Sequence, residues 1–517
     1  MLSKFLKNRN LVESCIRYST GACPPPKKGL VLGVYRECNQ NELRLSTQAQ
    51  NFNDSIQGKA EEFLLTSNIA EQPVVVAHNL HPDYFAVAFA GIGPKDAKFN
   101  SQESLEECLE WTRIGAGLGA RALHQYGVDQ IYVENMSSPD AAAEGSVMGV
   151  WEFDAYQTDE ESVRSIVLPF NVSDPNLWKY GTITGEATNL ARYIAHLPPN
   201  EGTPEAIAKF AIDNLCKCQV NVDVRDVEWI EQKKLNSILN VAKGSRRLPL
   251  LLELSYCGGV ADQKPAVLIG DGCTYDSWGL CLQDNQQVDW GMYGKSGAAA
   301  VIAAMKGIAQ LSLPLNVNAL VPLYENKPGA MALKPGSVIK TFDGNTTEVH
   351  STNVSSRLVL SDLIGYSHTL APNVIVNISA LSNDTRKYMS SGAIFGFTTD
   401  DDIYKTFEEA ASSTGDRVIR GPLWEFYKAK TTWPTMADTR VVPNQCTGDA
   451  MAAAMFLENF KPKGAAMVTL DIGGSAFLRS LKPDHYLRPH RMTGSPMRAV
   501  IQFLKQIACP NDRRLRC

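Results

Sequence analysis

The feature that most constrains this chain is a recurring order of short apolar runs and helical stretches, carried along most of its length. From Gly29 the runs LVLGVY, PVVVAH, YFAVAFAG, QIYVENM and SIVLPF alternate with helical stretches such as Ser104 to Gln125. A more regular series follows: PAVLIG at Pro265 to Gly270, a glycine-rich loop, a helix through SGAAAVIAAMKGIAQL and the strand NALVPL, then the helix RLVLSDLIGYSH and the strand NVIVNISAL. In the last helix Val359, Leu360, Leu363 and Ile364 recur at the spacing of a face packed on a sheet. Apolar strands flanked by such helices imply a sheet covered on both faces, with ligand chemistry at the loops beyond the strand carboxyl ends. Asp271 to Gln283 and Ser351 to Arg357 read as two such loops.

Between the two series, Asn, Pro and Gly cluster over NVSDPNLWKYGTITGEATN, Asn171 to Asn189, which places a domain boundary there. The expected fold is α/β: a smaller N-terminal α/β domain over 29–180, then a larger C-terminal domain over 181–517 whose central, mostly parallel sheet is covered by helices. A length of 517 residues suits two or three domains at about 150 residues each. Residues 1–28 read as a mitochondrial-type leader and linker. Lys4, Lys7, Arg9 and Arg17 face a single acid, Glu13, with Leu2, Phe5, Leu6, Leu11, Val12 and Ile16 interleaved, and CPPPKKG follows. Matrix localisation is the expectation, with the cytoplasm as the alternative.

Several function classes are disfavoured. Fifty basic against fifty-five acidic residues, without a long basic run, offer no nucleic-acid surface. The longest apolar runs fall far short of the roughly 20 residues that cross a bilayer, so no transmembrane segment is expected. Twelve cysteines at irregular spacing, with Cys216 and Cys218 the one close pair, write neither a zinc knuckle nor a disulfide framework, and most read as reduced thiols. His78 and His81 flank a proline-containing turn and read as surface-loop residues rather than a ligand pair. GKSGAAA, Gly294 to Ala300, reads as a helix start rather than a phosphate loop, because Gly291 stands only three residues before Gly294.

An ordered set of longer segments carries a resemblance. TNLARYIAHLPPNEGTPEAIAKFA, DGCTYDSWGLCLQ, VDWGMYGKSGAA, LVPLYENKPGAMALKPGSVIKTFDG, STNVSSRLVLSD, STGDRVIRGPLWEFY, LDIGG and RMTGSPMRAVIQFL resemble, in order and spacing, the landmarks of the leucyl aminopeptidases of the cytosol aminopeptidase family. The match runs over nearly the whole chain after the leader. The resemblance implies two divalent metals, zinc, manganese or magnesium, which clamp a water and polarise the peptide carbonyl. It also implies a hexamer of two stacked trimers.

Carried over residue by residue, the resemblance exposes substitutions. The family's first metal-binding lysine falls on Asp271, the next aspartate ligand is retained as Asp276, and the catalytic lysine falls on Gln283. A further aspartate ligand falls on Gly294. In STNVSSR the bridging aspartate and glutamate fall on Asn353 and Ser355, while the arginine that would hold a bicarbonate is retained as Arg357. Hard divalent ions need ionised oxygen donors at fixed positions, and amide or hydroxyl oxygens replace bridging carboxylates poorly. Loss of one electrostatic group facing a developing oxyanion costs about 100-fold to 1000-fold in rate.

The expectation is therefore a catalytically inactive homologue with no cofactor. It assembles as a homo-oligomer, a hexamer by family resemblance, in some cases mixed with paralogues. A leader joined to such a site resembles the diverged insect sperm leucyl aminopeptidases, which implies a structural role in a mitochondrial assembly. Two alternatives stand beside it. One is an aminopeptidase with an atypical zinc or manganese site at Asp271 and Asp276; the other is a peptide- or anion-binding regulator that keeps the cleft.

Overall fold

The computed structural model describes residues 25–36, 43–69, 71–158, 164–282, 293–432, 436–442, 447–479 and 485–510. Residues 1–24 of the expected leader and Gln283 lie outside the described residues.

The first sheet has six strands: β1 (Lys28–Arg36), β2 (Leu43–Leu45), β3 (Val74–His81), β4 (Tyr84–Gly91), β5 (Gln130–Val133) and β6 (Ile166–Pro169). They run in the order β3-β4-β1-β5-β6, with β2 on β1. Two helices, α1 (Thr47–Ser55) and α2 (Lys59–Thr66), contribute to an apolar core against one face through Phe52, Ile56 and Leu64. Helices α3 (Glu107–Gln125) and α4 (Pro139–Gly149) pack on the other through Ala116, Ala120, Leu123, Ala142 and Ala143. His78 and His81 belong to β3 itself rather than to a loop: the hairpin turn begins only at Pro82, His78 sits edge-on to Phe85 and Tyr126, and His81 pairs with Asp83 at 3.8 Å.

The expected boundary falls inside a helix, α5 (Pro175–His196), which packs on both α4 and the C-terminal domain. The Asn-Pro-Gly cluster has other causes. Asp174 caps the helix by accepting from the N–H groups of Asn176 and Leu177, and Pro175 fits its first turn. Gly181 lies where a Cβ would stand 2.0 Å from the carbonyl oxygen of Asp140, so it lets α5 and α4 touch.

The second sheet has nine strands: β7 (Asn221–Arg225), β8 (Leu250–Cys257), β9 (Ala266–Gly270), β10 (Gly272–Asp276), β11 (Asn316–Asn326), β12 (Val374–Ser379), β13 (Ile394–Phe397), β14 (Val418–Arg420) and β15 (Ala466–Asp471). The order is β14-β13-β15-β12-β9-β11-β8-β7, with β10 on β11. The centre is parallel: β9 pairs with β11 on one side and β12 on the other, and β12 pairs with β15. Strands β7, β8 and β13 introduce antiparallel pairs. One face is covered by α5, α6 (Pro204–Leu215), α7 (Ser296–Gln310), α9 (Asp401–Thr414) and α11 (Met497–Ala508). The opposite face is covered by α8 (Ser355–Tyr366) and α10 (Asp449–Glu458).

Six described cysteines are free thiols, among them Cys216, Cys218 and Cys273, whereas Cys108 is disulfide-bonded. No helix among the described residues is long and apolar enough to cross a membrane.

Candidate active site

Chain direction fixes where the site must lie. From β9 the chain crosses through α7 to β11 on one side of β9, then through α8 to β12 on the other side. The crevice therefore opens beyond the carboxyl ends of β9, β11 and β12, at a switch in strand order. Asp271 follows β9, Tyr324 to Asn326 end β11, and Ser379 ends β12. The approach of α7 depends on glycine. A Cβ on Gly297 would meet the Ile378 carbonyl oxygen at 2.2 Å, and in the space this leaves the Ala298 N–H donates to the Asp271 carbonyl at 2.7 Å. The GKSGAAA segment is accordingly the start of α7.

Asp271 to Gln283 is not all loop, because Gly272–Asp276 forms β10 alongside β11. This strand brings Asp276 beside Asn326 at the end of β11. In Ser351 to Arg357 the residues Thr352–Val354 form a short 3-10 turn, and α8 begins at Ser355.

Both retained carboxylates are engaged by protein donors. Asp271 is buried; its Oδ1 accepts from the Tyr324 hydroxyl at 3.0 Å and its Oδ2 from the Ser379 hydroxyl at 3.2 Å. Asp276 Oδ1 accepts from the Trp278 N–H at 2.7 Å and from the Asn326 amide at 2.8 Å, and its Oδ2 accepts from the Ser355 hydroxyl at 3.1 Å. The Trp278 bond is the turn expected of an aspartate in TYDSWG. Burial pushes the pKa of Asp271 up to about 7, opposed by the Tyr324 and Ser379 hydroxyls and reinforced by Asp276. Burial raises Asp276 to about 6 against the donors from Trp278, Ser355 and Asn326.

The substituted positions among the described residues are closely packed. Asn353 and Ser355 are buried at the start of α8, and the Asn326 amide also donates to the Thr352 carbonyl at 3.0 Å. Gly294 packs so closely on Cys273 that a Cβ there would lie 2.9 Å from the Cys273 carbonyl oxygen and 3.0 Å from its Cβ. Arg357 sits in the first turn of α8 and is fully buried. Its Nε and Nη2 donate to the Leu381 carbonyl at 3.2 and 2.9 Å, its Nη1 to the Val442 carbonyl, and its Nη2 to Asp449 at 2.6 Å.

A divalent metal pair does not fit this donor set. Among the described residues no group of three His, Cys, Asp or Glu side chains is placed to hold a metal ion. The oxygens of Asp271 and Asp276 already accept from Tyr324, Ser379, Trp278, Asn326 and Ser355. What the arrangement does chemically is hold two buried carboxyls on hydrogen bonds from protein donors.

Several members of the cluster carried no signal in sequence. Tyr324, Asn326, Ser379 and Asp449 come from distant segments and are ordinary residues on strands and helices. Lys295, next to Gly294, does stand out in sequence, a lysine in an otherwise small and apolar stretch. Its side chain is fully buried, and burial holds its pKa down at about 7 despite the opposing influence of Cys273.

Comparison with known proteins agrees with this geometry at the level of fold and family. The cytosol aminopeptidase of Bos taurus is 35% identical over 488 residues, covering 92% of each chain. That of Homo sapiens is 34% identical over 495 residues, covering 94% of this chain and 93% of its own. Among solved structures, the bottromycin maturation enzyme BotP in complex with Mn superposes with a TM-score of 0.77 at 24% identity, over 93% of this chain and 99% of that one. A point mutant of tomato leucine aminopeptidase gives a TM-score of 0.77 at 20% identity, over 94% of this chain and 95% of that one. Residues 31–160 match the N-terminal domain and residues 189–501 the catalytic domain of one family, and this chain is a member of it, the cytosol aminopeptidase family.

Proposed function

We propose that this member of the family is catalytically inactive and serves as a structural subunit. The observation that carries the reading is the state of Asp271 and Asp276, whose oxygens are bound by five protein donors. Gly294, Asn353 and Ser355 supply no carboxylate, and Gln283 supplies no cation. Arg357 is turned to Asp449 and backbone carbonyls, and so acts as a strut between α8 and α10 rather than as an anion holder. The proposed assembly is a homo-oligomer, a hexamer by resemblance to the family, in the mitochondrion and with sperm as the setting. Mixed assembly with active paralogues is a variant of the same proposal.

Elemental analysis of the purified full chain, paired with a leucyl-amide assay in added manganese or zinc, tests the reading. The expected result is metal far below one equivalent per chain and no turnover above buffer. Stoichiometric metal, with turnover abolished by Asp276→Ala, would establish the alternative of an atypical metal-dependent aminopeptidase. That alternative draws its support from the relatives named cytosol aminopeptidase and from the manganese complex of the structural neighbour.

A further inference from the structure

Away from the crevice, arginines crowd the seam between the two domains. Arg121 comes from α3, Arg192 from α5, Arg498 from α11, and Arg488 from the segment before α11. Arg121 is satisfied by the carbonyls of Gly149, His485 and Tyr486. Arg192 is not. Its Nη1 donates to the Met148 carbonyl at 3.1 Å and to the Asn189 side-chain oxygen at 2.8 Å, and its guanidinium lies 4.1 Å from the Trp151 ring centre. Its Nε and Nη2 are buried with no hydrogen-bond partner.

The neighbouring arginines also keep unbonded N–H groups, although each has carboxylates beside it. Arg488 has buried Nε and Nη2 atoms without a hydrogen-bond partner, although Nη2 forms an ion pair with Glu152. Arg498 donates through Nη2 to the Tyr486 hydroxyl at 3.2 Å, while its Nη1, also without a hydrogen-bond partner, lies 3.5 Å from Glu144. Glu144 is itself bound by Arg113 at 2.6 Å and by the Thr184 hydroxyl at 2.6 Å, and Asp416 and Glu110 act on Arg498, so the acids here serve Arg113 and Arg498 rather than Arg192. Buried N–H donors are almost always satisfied, and a buried cation without a counter-charge is expensive. Burial and the like charges of Arg121, Arg488 and Arg498 hold the pKa of Arg192 well below the usual arginine range.

The Nε and Nη2 hydrogens of a guanidinium lie on one edge and form a fork that grips a single acceptor or an oxyanion; Arg357 uses that edge on the Leu381 carbonyl. We propose that the domain seam binds a small inorganic anion on the Nε–Nη2 edge of Arg192, flanked by Arg488 and Arg498. Chloride and a tetrahedral oxyanion share the required chemistry, which is a compact negative charge that accepts several N–H bonds. The ion would tie α5 to α11 and its preceding segment, where Arg192 of α5 meets Met148 and Trp151 of the N-terminal domain.

The test uses the full chain. Thermal unfolding is followed in sodium gluconate, chloride and phosphate at fixed ionic strength, and crystals grown in bromide are examined for anomalous scattering. The expected result is a saturable rise in Tm of about 2 °C or more with one of the two anions, lost in Arg192→Met, and a bromide or phosphate peak beside Arg192. A response to chloride with a bromide peak assigns a halide, and a response to phosphate alone assigns an oxyanion. Tm that follows ionic strength regardless of anion, with no peak at Arg192, overturns the proposal. A peak with Tm indifferent to anion identity marks an adventitious ion only, and overturns it too. If Arg192→Met does not fold, the scattering peak and the anion series on the unaltered chain still decide.

Discussion

The guanidinium of Arg357 and the carboxylate of Asp449 meet at 2.6 Å with both side chains fully buried. Removing one member strands the other in a medium that solvates charge poorly, which costs about 3–5 kcal/mol. Arg357→Met is expected to destabilise the chain by that amount in urea unfolding. The double variant Arg357→Met with Asp449→Leu should recover most of it, and a double variant no better than the single would contradict a pairwise role.

Reintroducing acids tests the closed cluster directly. Asn353→Asp with Ser355→Glu removes the hydroxyl from Asp276 and packs new carboxylates around it. In chelator this pair is expected to lose about 1–3 kcal/mol. Added manganese should raise its Tm while leaving the unaltered chain unmoved, as read by differential scanning fluorimetry.

Acid should act through His196. Its Nδ1 lies 2.7 Å from the Arg192 carbonyl and its Nε2 accepts the Met492 N–H at 3.1 Å, so the ring is held neutral with the proton on Nδ1. Burial lowers its pKa to about 4. The unfolded chain therefore binds the proton first as pH falls, and the stabilising contribution present above about 6.5 is lost between there and about 4. His196→Gln should flatten this part of a urea-midpoint profile against pH.

Glu134 has the opposite sign. Burial raises it to about 7 despite hydrogen bonds from Ser46 and from the Gly33 N–H. The folded state keeps the proton longer than the unfolded state, so its contribution is full below about 4.5 and declines as pH rises to about 7. Glu134→Gln should remove that decline, and an unchanged slope would show that other groups cause it.

Gly181→Ala sets helix propensity against packing. Alanine gains about 1 kcal/mol over glycine inside a helix, yet its Cβ would lie 2.0 Å from the Asp140 carbonyl oxygen. The expected outcome is a net loss of about 1–3 kcal/mol from overpacking, measured by chemical denaturation.

That same glycine explains part of what sequence reading reached and missed. Period and apolarity located β1, β3, β4, β5 and β6 of the first sheet, the central β9, β11 and β12 of the second and the helix after GKSGAAA, because burial on a sheet leaves a local pattern. The Asn, Pro and Gly of Asn171 to Asn189, read as a domain boundary, serve in the fold as the cap and contact glycine of α5, because helix caps and helix–helix contacts use the same residue types as turns. Asp276 was legible as a turn former, since its Trp278 partner is two residues away. The partners Asn326, Ser379 and Asp449 were not, because strand order and helix packing bring them from 50 to 108 residues off. The helix Ser355–Tyr366 was found, but the burial of Arg357 at its start depends on α10, which no local pattern announces.

Asp276 holds donors from a turn, a strand end and a helix start at once. An acid returning at position 355 alone would first break one of these bonds and set two negative charges together, before any ion is bound to compensate. An aspartate at 294 would press on Cys273 in the same way. A single acid at either 294 or 355 thus runs uphill, so at these two positions the present packing acts as a ratchet in sequence space, resistant to change one residue at a time.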